Sequence, residues 1–143
     1  MLTMYDAQQI FVNMAEENRK MNRELFNVLD LLTDQARKRD EKSYFGSIHT
    51  ILNHVIICDI NWLRRFKPLD PEAPCLKSDT LYPENLSWEH PLHNDFQALK
   101  AHRDQVDQVI IDWFNHIGSD SYSREFTYQD SSGADRKAMA QKA

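Results

Sequence analysis

The sequence contains little of the residues that interrupt helices or cross-link small domains. Three glycines and five prolines occur in 143 residues, and four of the prolines fall between Pro68 and Pro83. This concentration disfavours a fold with many tight turns and predicts a few long helices with one long connection. The only cysteines, Cys58 and Cys75, do not resemble a disulfide framework, so we expect two reduced thiols.

An excess of basic residues and long apolar runs are also absent. Seventeen Lys and Arg against 22 Asp and Glu give a net charge of −5, which does not attract nucleic acid or anionic membranes. No run approaches the roughly 20 apolar residues that cross a bilayer, and Met1 to Asp6 do not resemble a secretory signal. We therefore expect a soluble cytoplasmic protein with no nucleic-acid or membrane partner, folded as one domain over residues 1–143.

Apolar periodicity predicts three long helices. The first runs from about Asp6 to Thr33, the second from about Ser43 to Phe66, and the third from about Leu92 to a stop at Gly118. The second is apolar around nearly its whole circumference, so we expect it to be central and enclosed. The first should bury one stripe of residues spaced by three and four, interrupted only by Asn18: Ala7, Phe11, Met14, Met21, Leu25, Val28 and Leu32.

The segments between these helices have their own signals. The charged stretch from Ala36 to Lys42 predicts a solvated loop, and the proline-bearing stretch from Lys67 to about His90 predicts a long crossover. Near the end, residues 134–143 favour helix by propensity, but Met139 is their only large apolar side chain. The expected fold class is therefore all-α, with a long crossover between the second and third long helices.

Polar residues on the apolar second helix are the candidate functional groups. By spacing alone, His54 is more simply explained as a core histidine bonded to a neighbour than as a metal ligand. Asn53 and Asp59 should make structural hydrogen bonds, although Asp59 could also orient groups near a metal. Cys58 lies one turn beyond His54 and is most simply a buried thiol, although it could lend a thiolate.

Other histidine-containing segments are weaker signals for a metal site. The pair His90 and His93 has no carboxylate in register, so its spacing is a weak signal for a metal site. The run from His102 to Gln105 lies within the third helix and predicts a solvated face, with Arg103 and Asp107 as an i,i+4 ion pair.

The second helix resembles the signature helix of the DinB family. The matching features are Gly46-Ser-Ile48, Leu52-Asn-His54, Asp59, Trp62-Leu63 and Arg65-Phe66, with Met21-Asn22 in the first helix. This resemblance implies an up-down four-helix bundle, commonly dimeric, in which three histidines bind a divalent metal such as zinc or nickel. Some similar proteins transfer low-molecular-weight thiols or isomerise thiol-dependent substrates.

Carried over to this sequence, the resemblance implies that His54 is a metal ligand. The family's other two ligands come from a His-x-x-x-His on a fourth helix, and no residue here corresponds to them. We therefore expect a bundle whose fourth helix is missing or truncated, with an incomplete metal site, a homodimeric partner and a small thiol or other small-molecule substrate. The expected function is a metal-dependent enzyme of the thiol S-transferase or hydrolase type. The alternative is a non-catalytic helical protein for dimerisation or partner binding.

Overall fold

The structure is a computed structural model that describes residues 7–118, 121 and 124–139. These residues form the long helices α1 (Ala7–Leu29), α3 (Ile48–Arg65) and α4 (Phe96–His116) and the short helix α2 (Asp34–Lys38). Two strands, β1 (Glu125–Gln129) and β2 (Asp135–Met139), form an antiparallel hairpin. The predicted helical fold is confirmed, and a small sheet is added to it.

Side-chain caps determine where the later helices begin. Thr33, Ser47 and Asp95 each accept a hydrogen bond from the backbone N–H three residues ahead. The second long helix therefore begins five residues later than predicted. The segment before it forms a tight turn in which Gly46 has φ +82°, a left-handed conformation suited to glycine.

The predicted solvated loop at residues 36–42 is wrong in its first half, because α2 occupies Asp34–Lys38. Arg37 is buried, and its Nη1 donates to the carbonyl oxygens of Leu29 and Leu32 at the end of α1. Its guanidinium lies 4.0 Å from the ring centroid of Phe96, a cation–π contact with α4. Burial of Arg37 is offset by these hydrogen bonds to backbone carbonyls at and just beyond the end of α1.

The predicted crossover is confirmed, and it is packed rather than loose. It contains short 3₁₀ turns at Lys67–Leu69, Pro74–Lys77 and Asp79–Leu81. Its apolar side chains join the core that it forms with α3 and α4; the buried ones are Leu69, Ala73, Leu76, Leu81 and Leu92. The crossover therefore closes one side of the molecule.

The helical preference predicted for residues 134–143 is wrong over Asp135–Met139, which is strand β2; residues 140–143 lie outside the described part. Asp130 shapes the turn by accepting hydrogen bonds from the backbone N–H groups of Ser132 and Ala134. Phe126 of β1 is buried against the ring of Phe66, with centroids 5.5 Å apart. Turn geometry and this aromatic contact outweigh a helix propensity of only a few tenths of a kcal/mol per residue.

Helix α4 is the centre of the fold, since both α1 and α3 pack against it. Trp113, Val106 and Leu99 on α4 are fully buried, as are Ile56 and Ile60 on α3. The central position therefore belongs to α4, and the prediction that the second long helix is enclosed on all sides is wrong. On α3, Ile51 and Val55 remain 41% and 46% exposed.

The predicted core stripe of α1 is also largely wrong. Met14, Met21 and Val28 are about 60% exposed, and Leu25 is nearly half exposed. The buried side of α1 instead carries Val12, Ala15 and Phe26, with Phe11 and Leu29 partly covered. The apolar arc of α1 is wider than the face that α4 covers, so one flank has no neighbour among the described residues. Among all the residues that the structure describes, no helix is long and apolar enough to cross a bilayer.

Candidate functional site

His54 is half-buried in the middle of α3, beside a cavity of about 460 Å³. Its ring lies between two aromatic rings, with its centroid 4.6 Å from that of Phe45 and 5.1 Å from that of Trp88. Glu89 and His90 also line the cavity and supply polar groups. His54, the predicted metal ligand, therefore borders a space of the size that small molecules occupy in proteins.

The Cys58 thiol is in contact with the His54 ring. Its Sγ lies 3.4 Å from Nε2 of His54, one helical turn away. Burial raises the pKa of the Cys58 thiol, and the negative charge of Asp59 adds to this effect. The thiol is therefore protonated at neutral pH, and with the His54 proton on Nδ1 its S–H donates to Nε2.

The described residues do not supply a complete metal site. None of their His, Cys, Asp and Glu side chains form a group of three or more that could hold an ion. A catalytic zinc normally has three protein ligands and one open position. The assignment of His54 as a ligand, and of zinc or nickel as the metal, therefore stays a prediction.

Asn53 makes structural hydrogen bonds that connect α3 to the segment after the crossover, as predicted. Its Oδ1 accepts a hydrogen bond from the backbone N–H of His93 at 2.8 Å, and its Nδ2 donates to the backbone oxygen of His49 at 2.9 Å. Both polar atoms of this buried side chain are satisfied, as burial requires. Asn53 therefore positions the crossover that forms one wall of the cavity.

His93 pairs with His102 and not with His90. A carbonyl can only accept, so His102 donates from Nε2 to the oxygen of Thr80 at 2.8 Å. In the neutral ring its Nδ1 then accepts from Nε2–H of His93, and the two nitrogens are 2.7 Å apart. Burial lowers the pKa of His93, and the nearby His102 adds to this effect. Both rings are therefore structural, and the solvated face predicted at His102 is wrong because the side chain is buried.

A buried ionic cluster joins the three long helices. Nη2 of Arg103 donates to Asp107 at 2.6 Å, which confirms the predicted ion pair, and to Asp59 on α3 at 2.7 Å. Asn18 and Asn22 of α1 donate to the two oxygens of Asp107 at 3.2 and 2.9 Å. The prediction of a solvated face here is wrong, because Arg103 is 4% exposed and Asp107 is fully buried.

Sequence reasoning missed this cluster, although a signal for it was present. Arg103 occupies the one gap in the apolar stripe of α4, whereas Asn18, in the gap of the α1 stripe, is exposed like most of that stripe and carried no such signal. A polar side chain within an apolar stripe predicts a buried partner, because burial without one is costly. Burial raises the pKa of Asp107, and the positive charge of Arg103 opposes that effect.

Comparison with known proteins identifies the family of the chain. The family model described as the DinB family matches residues 4–141, almost the whole chain. No curated protein and no solved structure matches at a significant level. The match extends the resemblance first seen in the second helix through the crossover, α4 and the hairpin. This chain therefore belongs to the DinB family.

Proposed function

We propose that the chain takes part in metal-dependent chemistry of the thiol S-transferase or hydrolase type, with His54 as one ligand of a zinc or nickel ion. The observation that carries this proposal is the position of His54 beside a small-molecule-sized cavity in a member of the DinB family. The described residues alone do not fit a complete site. We assign the remaining ligands to donors outside them and derive no catalytic step through the metal.

The residues around His54 suit a small substrate with one apolar part. Phe45 and Trp88 place apolar rings against the imidazole. Thr50 and Glu89 line the same cavity and offer hydrogen-bonding groups. Mostly apolar walls with a few polar groups are typical of small-molecule sites.

Metal titration tests this proposal. Isothermal titration calorimetry with Zn²⁺ and with Ni²⁺ should show weak binding to one site, because the described residues bring no group of three ligands together. His54→Ala should abolish that binding. His116→Ala is a matched control, since His116 lies at the end of α4 and its Nε2 bonds to Asp70. Binding that survives His54→Ala unchanged would contradict the proposal.

Complementation tests whether donors from outside the described residues complete the metal site. A synthetic amphipathic helix with two histidines four residues apart should raise the Zn²⁺ affinity by about tenfold or more, because three imidazoles form a recognised zinc ligand set. The same peptide with both histidines replaced by alanine is the control. An equal effect of both peptides, or no effect of either, would show that the proposed completion is wrong.

The exposed apolar flanks of α1 and α3 favour a second candidate function, a non-catalytic dimerisation or partner-binding module. Covering such surface contributes roughly 25 cal/mol per Å². A second copy of the chain is the partner we propose. Sedimentation velocity should show a dimer that Met21→Glu dissociates, whereas Glu16→Lys, an exposed change elsewhere on α1, should not. A stable wild-type monomer would exclude the homodimer.

A further inference from the structure

Two consecutive arginines, Arg64 and Arg65, line a second cavity, of about 380 Å³, between the last turn of α3 and strand β1 of the hairpin. Asn61 on α3 and Thr127 and Gln129 on β1 line the same cavity and add neutral hydrogen-bonding groups. The proposed function uses none of these residues. The cavity therefore combines two permanent positive charges with polar groups that carry no charge.

Aromatic rings hold both guanidinium groups in place. The guanidinium carbon of Arg65 lies 4.8 Å from the ring centroid of Trp62 and 5.0 Å from that of Tyr128. The guanidinium carbon of Arg64 lies 4.9 Å from the ring centroid of Tyr82 in the crossover. Stacking on a ring uses the flat face of a guanidinium, so the N–H groups at its edge can still donate to an anion.

The charges of these two arginines are not neutralised within the fold. Among residues 7–118, 121 and 124–139, the side chains of Arg64 and Arg65 have no ion-pair or hydrogen-bonding partner. The cavity between α1 and α4 is different, because its Arg23 is paired with Asp104 and its Arg103 with Asp107. The arginines at the end of α3 are therefore available to a bound anion.

Asp130 also lines this cavity, but the hairpin already uses both of its carboxylate oxygens. Oδ1 accepts hydrogen bonds from the backbone N–H groups of Ser132 and Ala134 at 2.9 and 3.1 Å. Oδ2 accepts from Nε of Arg136 at 2.8 Å, and this ion pair offsets the charge of Asp130. A negative ligand beside Arg64 and Arg65 therefore meets little net repulsion from the cavity wall.

Trp88 gives the cavity an apolar surface. It is 49% exposed, and it lines both this cavity and the cavity beside His54. Positions 54 and 64 are about 15 Å apart along α3 at 1.5 Å per residue. A small ligand at the arginines therefore does not need to contact His54, and its binding can be measured without any metal.

We propose that this cavity binds a small organic carboxylate with an apolar or aromatic body. Arg64 and Arg65 hold the carboxylate, because the planar fork of a guanidinium matches its two oxygens. Trp88 packs against the apolar body. Binding is non-covalent, and this site does not depend on the proposed function.

Titration with 3-phenylpropionate in the presence of EDTA tests the site, with the arginine Nε–H and tryptophan indole N–H resonances followed by NMR. The signals of Arg64, Arg65 and Trp88 should shift and reach saturation. The neutral analogue 3-phenylpropionamide has the same ring and chain and should cause little change. An equal response to both compounds would overturn the proposal, because the carboxylate would then contribute nothing.

Charge-removing variants identify the residues that hold the carboxylate. Arg64→Gln and Arg65→Gln should each weaken 3-phenylpropionate binding by about tenfold, the loss expected for one hydrogen bond to a charged group. Arg19→Gln is the matched control, since Arg19 lies on α1 and bonds to Gln108 of α4. Circular dichroism would verify folding; should the loss of stacking unfold Arg65→Gln, Arg64→Gln still provides the test. Unchanged affinity in Arg64→Gln would overturn the site.

Two further arms define the ligand and separate this site from the proposed function. Inorganic phosphate should bind more weakly than 3-phenylpropionate, because it has no apolar body to contact Trp88; phosphate binding of equal or greater strength would overturn the assigned ligand class. His54→Ala should leave 3-phenylpropionate binding unchanged. Binding lost in His54→Ala but kept in Arg64→Gln would overturn this inference, whereas the metal titrations would still decide the proposed function.

Discussion

Replacing Arg103 with leucine should destabilise the protein by about 3–5 kcal/mol, the usual cost of breaking a buried ion pair from one side. Arg103 is the cation between Asp107 and Asp59. Asp107 is fully buried, whereas the Asp59 side chain is 35% exposed and can be hydrated. Most of the loss should therefore come from the uncompensated carboxylate of Asp107.

Equilibrium unfolding in urea, followed by circular dichroism, measures this loss by linear extrapolation. The double variant Arg103→Leu/Asp107→Leu should recover most of it, because removing both charges leaves no buried ion and can be nearly neutral. Asn18 and Asn22 are not fully buried and can bond to water instead. Asp59→Asn should cost much less than Arg103→Leu.

The pH dependence gives a further check on Arg103→Leu. Without the guanidinium, the folded-state pKa of Asp107 should rise further above the unfolded value of about 3.9. The stability deficit relative to wild type should then be largest at neutral pH and shrink as the pH falls through the raised folded-state pKa of Asp107, because the folded carboxyl is then protonated and leaves no buried charge without a partner. A cost below about 1 kcal/mol, or a double variant no more stable than the single one, would refute the reasoning.

Three further results are expected. Burial lowers the pKa values of His49 and His93, so the unfolded chain binds more protons than the folded one below about pH 6.5, and stability should fall as the pH drops below that value. Urea unfolding measured from pH 5 to 8 checks this. The double variant His49→Gln/His93→Gln should show a weaker dependence of the unfolding free energy on pH. Gly46→Ala should destabilise the protein by about 1–2 kcal/mol in thermal unfolding experiments, because alanine is strained at φ +82°; the added Cβ meets no close contact, so the backbone alone causes the loss. Gly118→Ala should have little effect in the same experiments. Ser47→Ala should remove the cap of α3 and cost about 1 kcal/mol, and an unchanged melting temperature would contradict that role.

Sequence reasoning was most successful where a signal is local. The residue pattern of the second helix identified the DinB family, and proline spacing identified the crossover. Helix starts were less accurate, because the pattern extends through residues 43–46 while the Ser47 side chain determines where hydrogen bonding begins. The turn containing Gly46 is also local, and its glycine was a signal for it.

The errors concern tertiary packing. Periodicity shows that Met14, Met21 and Val28 share one face of α1, but it does not show whether another element covers that face. The burial of Arg37 depends on Phe96, almost 60 positions away, and a local charge pattern cannot predict that contact. Similarly, the Arg103 cluster requires side chains from three helices to converge.

Nitrogen NMR of the histidine side chains during Zn²⁺ titration tests the central claim most directly. We expect the Nε2 resonance of His54 to change first and by the largest amount, while those of His93 and His102, which are hydrogen-bonded to each other, change little. If the His54 nitrogens stay unchanged while another histidine responds to the metal, then His54 is not the ligand.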